Sequence, residues 1–320
     1  MELRRDIDSR RTRMYLLGLD GGETKTHCII GDEDGNIFAE GFGGPANYQT
    51  VGEGVAKQSI MTAISRALSK LNIQIADIEY GIIGLAGVDG EEDFKIINRI
   101  CGHIFNDVPY EIYNDCWLVL RVGSDENWGV VSVCGRGHGC MGRTKEGKEV
   151  QLRNRVFAIG NRGGGTELVH ETLHYTFRAD EGIGIATRLQ EEIPRVLGVG
   201  TMTEVEYLIR EKGDSLEGLT QIPMILSRLA KEEDEVSQNI IIDNGKAIGK
   251  SAAAVIKELG FQQTEVPIVV GGSAFTEDNP LFIDAYKLEV HRVAPHAKFT
   301  VIDKRPVIGA YYLAIDKLKK

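Results

Sequence analysis

The amino-acid sequence predicts an α/β protein made of two similar lobes around a cleft, with extra helices enlarging the second lobe. Three observations support this prediction. The chain has 320 residues, which is more than one hydrophobic core usually organises. Short apolar or alternating runs and segments of helical periodicity follow one another in the order βββ-α-β-α-β. The same order then occurs a second time without close sequence identity, which indicates a duplicated unit.

The first repeat opens with three short strands and continues with two helical crossovers. The strands are Tyr15 to Leu19, Thr26 to Gly31 and Asn36 to Glu40. Apolar side chains at three-to-four spacing predict helices over Ile60 to Leu71 and Phe94 to Ile104. Strands Tyr80 to Leu85 and Tyr110 to Tyr113 follow these helices. Because a helix separates the successive strands, we expect those strands to be parallel.

The second repeat is longer because helices are inserted into it. Its predicted strands are Gly129 to Cys134, His138 to Thr144, Glu149 to Arg153, Pro267 to Val270 and Phe299 to Ile302. Helices are predicted from about Gly164, through a long helical region from Leu189 to Leu259, and over Pro280 to Val293 and Pro306 to Leu318. We therefore expect the second lobe to be larger and richer in helix than the first.

Composition and charge narrow the possible functions. With 42% hydrophobic and 26% charged residues the chain is typical of a globular protein, and no run approaches the roughly 20 apolar residues of a membrane-spanning helix. The net charge of −10 disfavours binding to nucleic acid. The segment Met1 to Arg13 lacks the apolar stretch of a signal peptide, so we expect a flexible extension and a cytoplasmic protein that does not bind membranes. The cysteines contain no C-x-x-C pair and are interpreted as free thiols, although Cys134 and Cys140 could form half of a metal cluster.

Three glycine-rich turns are candidate nucleotide sites. Asp20-Gly-Gly-Glu-Thr-Lys-Thr26 follows the first strand of the first repeat, Cys134-Gly-Arg-Gly-His-Gly139 follows the first strand of the second, and Val270-Gly-Gly-Ser-Ala274 follows a later apolar strand. Adjacent glycines let backbone N–H groups approach a phosphate closely, although a plain hairpin turn explains the first segment alone equally well. A strand rather than a helix follows that turn, which excludes the Walker loop and the dinucleotide fingerprint. The matching positions favour two phosphate hairpins and a third turn that supports adenosine.

Polar residues near these turns are candidates for acceptor binding and catalysis. Asn114 and Asp115 end a strand, at the edge where parallel sheets bind ligands. A carboxylate there could accept a proton from a sugar hydroxyl that attacks the γ-phosphorus, but both residues are also favoured at helix N-caps. Asn47 could bind a polyol or cap the turn before the first helix. Gly164 lies in the run from Ile159 to Glu167, which could shape a substrate pocket or simply connect elements.

In combination, seven segments resemble one known family. They are Leu17 to Thr26, Gly84 to Asp89, Asn114-Asp115, Val133 to Cys140, Arg178 to Gly182, Val270 to Phe275 and Pro306 to Ala310. In order and spacing they are similar to the BadF/BadG/BcrA/BcrD ATPase and N-acetylglucosamine kinase family, within the superfamily of sugar kinases, actin and heat-shock chaperone ATPases. The resemblance covers nearly all of the chain from Met14 onward.

The resemblance implies two ribonuclease H-like lobes around an ATP cleft. The implied first lobe spans residues 14–118 and is joined by the helix at 306–320, and the implied second lobe spans residues 119–305. The implied nucleotide contacts are Asp20, Gly21, Gly22, Thr24, Lys25 and Thr26, then Gly135, Arg136 and Gly137, and finally Gly271, Gly272 and Ser273. Asp20 is expected to position Mg²⁺ through water. Asp115 corresponds to the catalytic base, Asn47 and Asn114 correspond to amino-sugar contacts, and a homodimer is expected by analogy.

The chain departs from the family's pattern in two places. Relatives usually have Gly-Thr-Gly in the second hairpin, where this chain has Gly135-Arg136-Gly137 followed by His138. Asn161 to Gly165 replaces a region in which sugar-phosphorylating relatives often show tryptophan and acidic residues.

The leading interpretation is ATP-dependent phosphorylation of a sugar hydroxyl, with an N-acetylated amino sugar such as N-acetylglucosamine as the acceptor. One alternative is an ATPase activator of the benzoyl-CoA reductase or dehydratase type, which shares an iron–sulfur cluster between two subunits and is suggested by Cys134 and Cys140. Another is a sugar- or nucleotide-binding relative with altered catalysis, suggested by Arg136 and His138.

Overall fold

The computed structural model describes residues 14–153, 157–276 and 278–319. The flexible extension predicted for residues 1–13 lies outside this range. The described chain forms two compact units. The first contains the residues up to Val122 together with those from Lys304 onward, and the second contains Gly123–Asp303.

Over its described residues, the first unit contains one mixed sheet of five strands. The strands are β1 (Tyr15–Gly21), β2 (Thr26–Gly31), β3 (Ile37–Gly43), β4 (Ile78–Leu85) and β5 (Tyr110–Asn114). They lie in the order β3-β2-β1-β4-β5. β1 pairs antiparallel with β2 and parallel with β4, and β4 pairs parallel with β5. The carboxyl ends of β1, β4 and β5 therefore meet at one edge of the sheet, which is where such sheets bind ligands.

Helices cover both faces of this sheet. They are α1 (Tyr48–Leu71), α2 (Glu91–Phe105), α3 (Asp115–Gly123) and the C-terminal α10 (Pro306–Leu318), with a 3₁₀ turn at Ile75–Asp77. Successive strand residues point to opposite faces. Leu17 accordingly packs in one core with α1 and α2, whereas Leu16 packs in another with α10.

Close packing of α10 on β1 depends on Gly18. A Cβ atom at this position would lie 2.6 Å from the backbone nitrogen of Tyr311, and a backbone atom cannot move aside as a flexible side chain can. The Tyr311 hydroxyl donates to Asp32 O at 2.5 Å, and Arg121 forms an ion pair with Asp316 at 2.6 Å. The last helix of the chain is therefore an integral part of the first unit.

The second unit repeats this topology. Its strands are β6 (Gly129–Cys134), β7 (His138–Arg143), β8 (Glu149–Gln151), β9 (Pro267–Gly271) and β10 (Lys298–Val301). Their order, β8-β7-β6-β9-β10, and their directions match β3-β2-β1-β4-β5 strand for strand. The predicted duplicated α/β fold is thereby confirmed.

Helices inserted between β8 and β9 enlarge the second unit. They are α4 (Gly165–Asp180), α5 (Leu189–Val196), α6 (Met202–Lys212), α7 (Ile222–Lys231) and α8 (Glu235–Leu259), with α9 (Pro280–His291) after β9 and 3₁₀ turns at Phe157–Ile159, Gly213–Ser215 and Leu219–Gln221. The long helical region predicted over Leu189 to Leu259 is divided because side chains start new helices within it. Thr201 caps α6 and Asp234 caps α8. Among the described residues, no helix is both long and apolar enough to cross a membrane.

Candidate active site

The first hairpin places a glycine turn between two paired strands. Gly21 at the end of β1 pairs with Thr26 at the start of β2, and Gly22 N donates to Lys25 O at 3.0 Å. The backbone N–H groups of Thr24 and Lys25 donate to no other described residue. Two adjacent donors of this kind can bind the oxygens of a phosphate.

Two loops hold this hairpin in place. Ala46 N, in the loop after β3, donates to Gly22 O at 3.0 Å. Ala86 N, in the loop after β4, donates to Gly21 O at 2.9 Å. The carbonyl groups of Gly21 and Gly22 are thus satisfied inside the protein, and the turn keeps a defined position relative to both loops.

Asp20 and Asp115 form the acidic part of the site. Asp20 lies in β1 immediately before the turn, and Asp115 is the first residue of α3, directly after β5. Burial and the charge of Asp115 raise the pKa of Asp20 to about 7, although the charge of Lys25 opposes this. Burial and the charge of Asp89 raise the pKa of Asp115 to about 6. The structure therefore gathers three carboxylates, and one with a pKa close to neutrality suits a general base.

Asn114 organises this cluster through its amide group. Its Oδ1 accepts a hydrogen bond from Cys116 N at 2.9 Å, which caps the start of α3. Its Nδ2 donates to Asp89 Oδ1 at 2.9 Å and to Val88 O at 3.2 Å, so both hydrogens of this amide are used inside the protein. Asn114 thus has the capping role left open by the sequence and also holds Asp89. Its contact with a sugar stays a prediction.

Asn47 also caps a helix. Its Oδ1 accepts from Gln49 N at 3.0 Å at the start of α1, and its Nδ2 donates to the carboxylate of Glu23 in the first hairpin. Gly87, in the loop after β4, packs directly against the Asn47 amide. The structure therefore brings Asn47 next to both the hairpin and the loop that carries Asp89. Its contact with a sugar also stays a prediction.

Metal binding at this site is expected to depend on the nucleotide. In the described parts of the chain, no group of three or more His, Cys, Asp or Glu side chains is arranged to hold a metal ion. Mg²⁺ usually keeps several waters and is bound by one or two carboxylates together with substrate phosphates. Asp20, beside the phosphate hairpin, fits a Mg²⁺ ion of this kind.

A zinc-peptidase pattern in the second unit does not form a metal centre. His170-Glu-Thr-Leu-His174 on α4 matches H-E-x-x-H, whose two histidines bind zinc in metalloproteases. His170 Nε2 instead lies 2.8 Å from Asp214 Oδ1, and within residues 157–276 no third ligand completes a site.

The hairpin between β6 and β7 is supported by the start of α4. Gly165 N donates to Gly135 O at 2.8 Å. Gly164, just before α4, has a φ of +96°, and a Cβ there would lie 2.7 Å from Gly137 Cα. Only glycine combines this backbone conformation with so close an approach. The glycine run therefore supports the second hairpin, and a contact of Gly164 with substrate stays a prediction.

The third glycine turn lies beside this second hairpin. After β9 ends at Gly271, Ala274 N donates to Cys134 O at 3.1 Å. A cavity of about 470 Å³ in the second unit is lined by both turns, through Gly135 and Ser273 among others. Its remaining walls come from α4, α7, α8 and α9. This volume is in the range of small-molecule sites.

Asn244, in the wall of this cavity, carries a hydrogen-bond donor without a partner in the described part of the chain. Its side chain lies on α8 among the lining residues and is 2% exposed. Its Nδ2 finds no partner among the described residues. A buried donor without a partner costs free energy, so this amide is a candidate for a bond to a ligand or to a water molecule. No motif marks Asn244 in the sequence, since it lies inside a long helix.

The two unusual residues of the second hairpin differ in their surroundings. His138 is buried at the start of β7, with Nδ1 3.4 Å from Asn161 Oδ1. Burial lowers the pKa of His138 to about 4, so the ring is neutral at physiological pH. It is a structural residue and not a cation for phosphate. Arg136 is exposed in the hairpin turn, and its contact with phosphate stays a prediction.

A comparison with protein families decides which family the chain belongs to. A model of the BadF/BadG/BcrA/BcrD ATPase family matches residues 17–314. The chain belongs to this family. The match spans all three glycine turns and Asp115, so the resemblance seen in the sequence is confirmed. Membership in this ATPase family implies that the chain uses ATP.

Two full-length relatives of this family member are sugar kinases. The N-acetyl-D-glucosamine kinase of Dictyostelium discoideum is 27% identical over 322 residues, which cover 96% of this chain and 100% of that protein. The N-acetylmuramic acid/N-acetylglucosamine kinase of Clostridium acetobutylicum is 24% identical over 300 residues, which cover 94% of this chain and 98% of the relative.

Solved structures confirm the sugar kinase and actin-like ATPase fold. A Chromobacterium violaceum protein with a proposed N-acetylglucosamine kinase activity has a TM-score of 0.68 at 16% identity, over 94% of this chain and 99% of its own. A ROK family glucokinase from Streptomyces griseus has a TM-score of 0.56 at 17% identity, over 94% of this chain and 99% of the glucokinase chain. At such low identity these likenesses concern the fold alone.

Three acidic residues of the site had no role assigned from the sequence, although Glu23 and Asp89 lie in segments that resemble the family. Glu23 bonds to Asn47, Asp89 lies near Asp115, and Asp93 Oδ2 accepts from Asp89 N at 3.0 Å. The only sequence signal for Asp93 is its place in the acidic first turn of α2, where carboxylates commonly bond to backbone N–H groups.

Proposed function

We propose that this protein is a sugar kinase that transfers the γ-phosphoryl group of ATP to a hydroxyl of an N-acetylated amino sugar. The observation that carries the proposal is Asp115, a carboxylate with a pKa of about 6 that lies directly after β5 and whose charge acts on Asp20, just before the first hairpin turn. Both full-length relatives are named for N-acetylated sugars, which supports the acceptor class.

Asp115 acts as the general base in this reaction. Its ionised carboxylate accepts the proton of the acceptor hydroxyl while the hydroxyl oxygen forms a bond to the γ-phosphorus. The bond between the γ-phosphorus and the bridging oxygen breaks, and ADP leaves with that electron pair. The charge of Asp89 helps to keep the pKa of Asp115 near the working pH, which strengthens the base.

Asp20 would hold Mg²⁺ through water beside the nucleotide phosphates. The bound cation supplies positive charge that offsets the charge of the phosphates. In the protein alone the pKa of Asp20 is about 7. A cation bound nearby would lower this pKa and so favour the ionised carboxylate that the role needs. The N–H groups of Thr24 and Lys25 are the proposed donors to phosphate oxygens.

We infer that the second unit holds the nucleoside of ATP. The cavity of about 470 Å³ beside the third glycine turn supports this assignment. Met224 and Phe282 give it apolar walls, and Asn244 gives it a donor without a partner. A mostly apolar cavity with a few polar groups is the usual form of a nucleoside site. Gly272 and Ser273 are the proposed contacts from the third turn.

The proposal is tested by measuring ADP release over a panel of hexoses and N-acetylated amino sugars. We expect release to require a sugar and kcat/KM to be highest with N-acetylglucosamine. Asp115→Asn should lower kcat by at least about 100-fold, because general base catalysis is lost. Asp125→Asn, which changes an exposed aspartate, is the matched control. ADP release at one rate with or without every sugar would refute the kinase assignment.

The structure does not favour the iron–sulfur activator. Cys134 is 2% exposed and Cys140 is 0% exposed, and burial raises the pKa of both thiols to about 12. A cluster shared between two subunits needs thiols that reach the protein surface, and these two thiols are buried inside the second unit. The binding-protein alternative predicts a ligand-induced thermal shift without product. The homodimer and the cytoplasmic location stay predictions, and light scattering tests the first.

A further inference from the structure

A side chain of the phosphate hairpin reaches the residues that precede and begin α1. Glu23 Oε1 accepts a hydrogen bond from Asn47 Nδ2, and Glu23 Oε2 accepts one from Thr50 Oγ1 at 3.0 Å. Thr50 Oγ1 also lies 3.0 Å from Asn47 O. One carboxylate therefore bridges the hairpin and the capping turn of α1.

The Asn47 side chain is held from three directions. Glu23 accepts from its nitrogen, Gln49 N donates to its oxygen at 3.0 Å, and Gly87 packs against it. An amide nitrogen carries two hydrogens, and Glu23 accepts one of them. The second can be donated to an oxygen of a ligand. Glu23 therefore sets the direction in which Asn47 presents this hydrogen.

The backbone contact between the same two segments does not replace this bond. Ala46 N donates to Gly22 O at 3.0 Å, which ties the loop backbone to the hairpin. That contact fixes the position of the loop but leaves the Asn47 amide to its side-chain partners. Glu23 is the partner that comes from the hairpin itself.

We propose that Glu23 is a positioning residue that holds Asn47 in the orientation that binds the sugar, and so links the loop between β3 and α1 to the first hairpin. The proposal rests on the proposed function, because it takes Asn47 as a donor to an oxygen of an N-acetylated amino sugar. Glu23 itself acts through Asn47 and Thr50.

The length of the side chain at position 23, more than its charge, determines whether it can bond to both Asn47 and Thr50. A glutamine has one acceptor oxygen for Asn47 and one donor nitrogen that can reverse the bond to Thr50 Oγ1. An aspartate keeps the charge but is one methylene shorter, so it cannot reach both partners. Glu23→Gln should therefore behave nearly as the wild type, and Glu23→Asp should behave as Glu23→Ala.

The experiment measures the KM for N-acetylglucosamine at saturating ATP and the KM for ATP at saturating sugar. We expect Glu23→Ala and Glu23→Asp to raise the sugar KM by about tenfold and to leave the ATP KM within about twofold. Glu23→Gln should stay within about threefold. The control is Gln58→Ala, at an exposed α1 position where the side chain contacts Thr62. Thermal melting of each variant checks its folding. If Glu23→Ala does not fold, Glu23→Asp provides the test of the sugar KM.

A double variant tests whether Glu23 works through Asn47. If it does, Asn47→Ala and the double variant with Glu23→Ala have the same sugar KM. An unchanged sugar KM in Glu23→Ala and Glu23→Asp, or a further tenfold rise on adding Glu23→Ala to Asn47→Ala, would overturn the proposal. Failure of the wild type to phosphorylate any sugar is a different result, since that outcome refutes the proposed function itself.

Discussion

The pH at which activity is lost tests the role of Asp115 directly. A general base must be ionised, so kcat/KM should fall as the pH falls through the pKa of Asp115, about 6. The charge of Asp89 is the second cause of this raised pKa, after burial. Asp89→Asn removes the charge but keeps an oxygen that can accept from Asn114 Nδ2. The variant should therefore keep the local structure and lower the pKa of Asp115.

The expected magnitude follows from the pKa of Asp115 and from the direction of its change. Burial is the larger cause of the raised pKa, so loss of the like charge should bring the pKa only part of the way from about 6 towards the ordinary value of 3.8. At about pH 5.5 about one quarter of Asp115 is ionised in the wild type, and a downward shift of about half a pKa unit would raise this share about twofold. Relative to its own rate at about pH 8, the variant should therefore retain about twofold more activity at about pH 5.5, or more.

The assay is kcat/KM for N-acetylglucosamine between about pH 5 and pH 8 at saturating ATP and Mg²⁺, which keep Asp20 ionised, followed by coupled ADP detection. Asp125→Asn, which changes an exposed aspartate, should leave the midpoint where the wild type has it. If the pH midpoint of kcat/KM were the same in wild type and Asp89→Asn, or if kcat/KM did not vary over this pH range, Asp115 would not be the general base.

Three further predictions concern stability and nucleotide binding. The raised pKa of Asp115 means that the folded chain binds a proton more tightly than the unfolded chain, so this group lowers stability as the pH rises from its ordinary pKa of 3.8 through about 6. Asp115→Asn should therefore stabilise the apo protein by about 1–3 kcal/mol at about pH 8, and a melting series should show no gain near pH 4. Gly18→Ala should lower the free energy of unfolding, measured in urea, by about 1–3 kcal/mol, because its Cβ meets the Tyr311 backbone. Gly54→Ala, in open space on α1, should raise that free energy by about 0.5–1 kcal/mol. Equal effects of the two substitutions would contradict the packing of α10. Asn244→Leu should preserve or raise the Tm while raising the ATP KM about fivefold, and an unchanged ATP KM would contradict the nucleoside cavity.

Most of the fold could be predicted because its signals are local. Alternating runs and turns identified the strands of both sheets, and the recurring order predicted their duplicated topology. The helix α3 was missed because Asp115–Gly123 is only nine residues long and has a continuously buried run from Cys116 to Leu120. With no polar face to alternate with it, such a run shows no helical period.

The candidate site could be predicted where its residues lie in glycine turns or at strand ends. Asp20 and Asp115 are marked in this way. The side chains that join these parts could not be predicted, because their contacts link residues far apart in the sequence, as between Glu23 and Asn47. The capping interpretation of Asn47 and Asn114 was also correct, since both amides cap helices. Capping and a place beside the acidic cluster are compatible roles.

Phosphorus NMR of the purified protein with Mg²⁺, ATP and N-acetylglucosamine tests most directly whether this chain transfers a phosphoryl group from ATP to an amino sugar. We predict that the γ-phosphate signal is replaced by a phosphomonoester signal coupled to sugar protons, together with the signals of ADP. Asp115→Asn should abolish this conversion. Formation of inorganic phosphate with no sugar ester, or no loss of ATP at all, would contradict the claim.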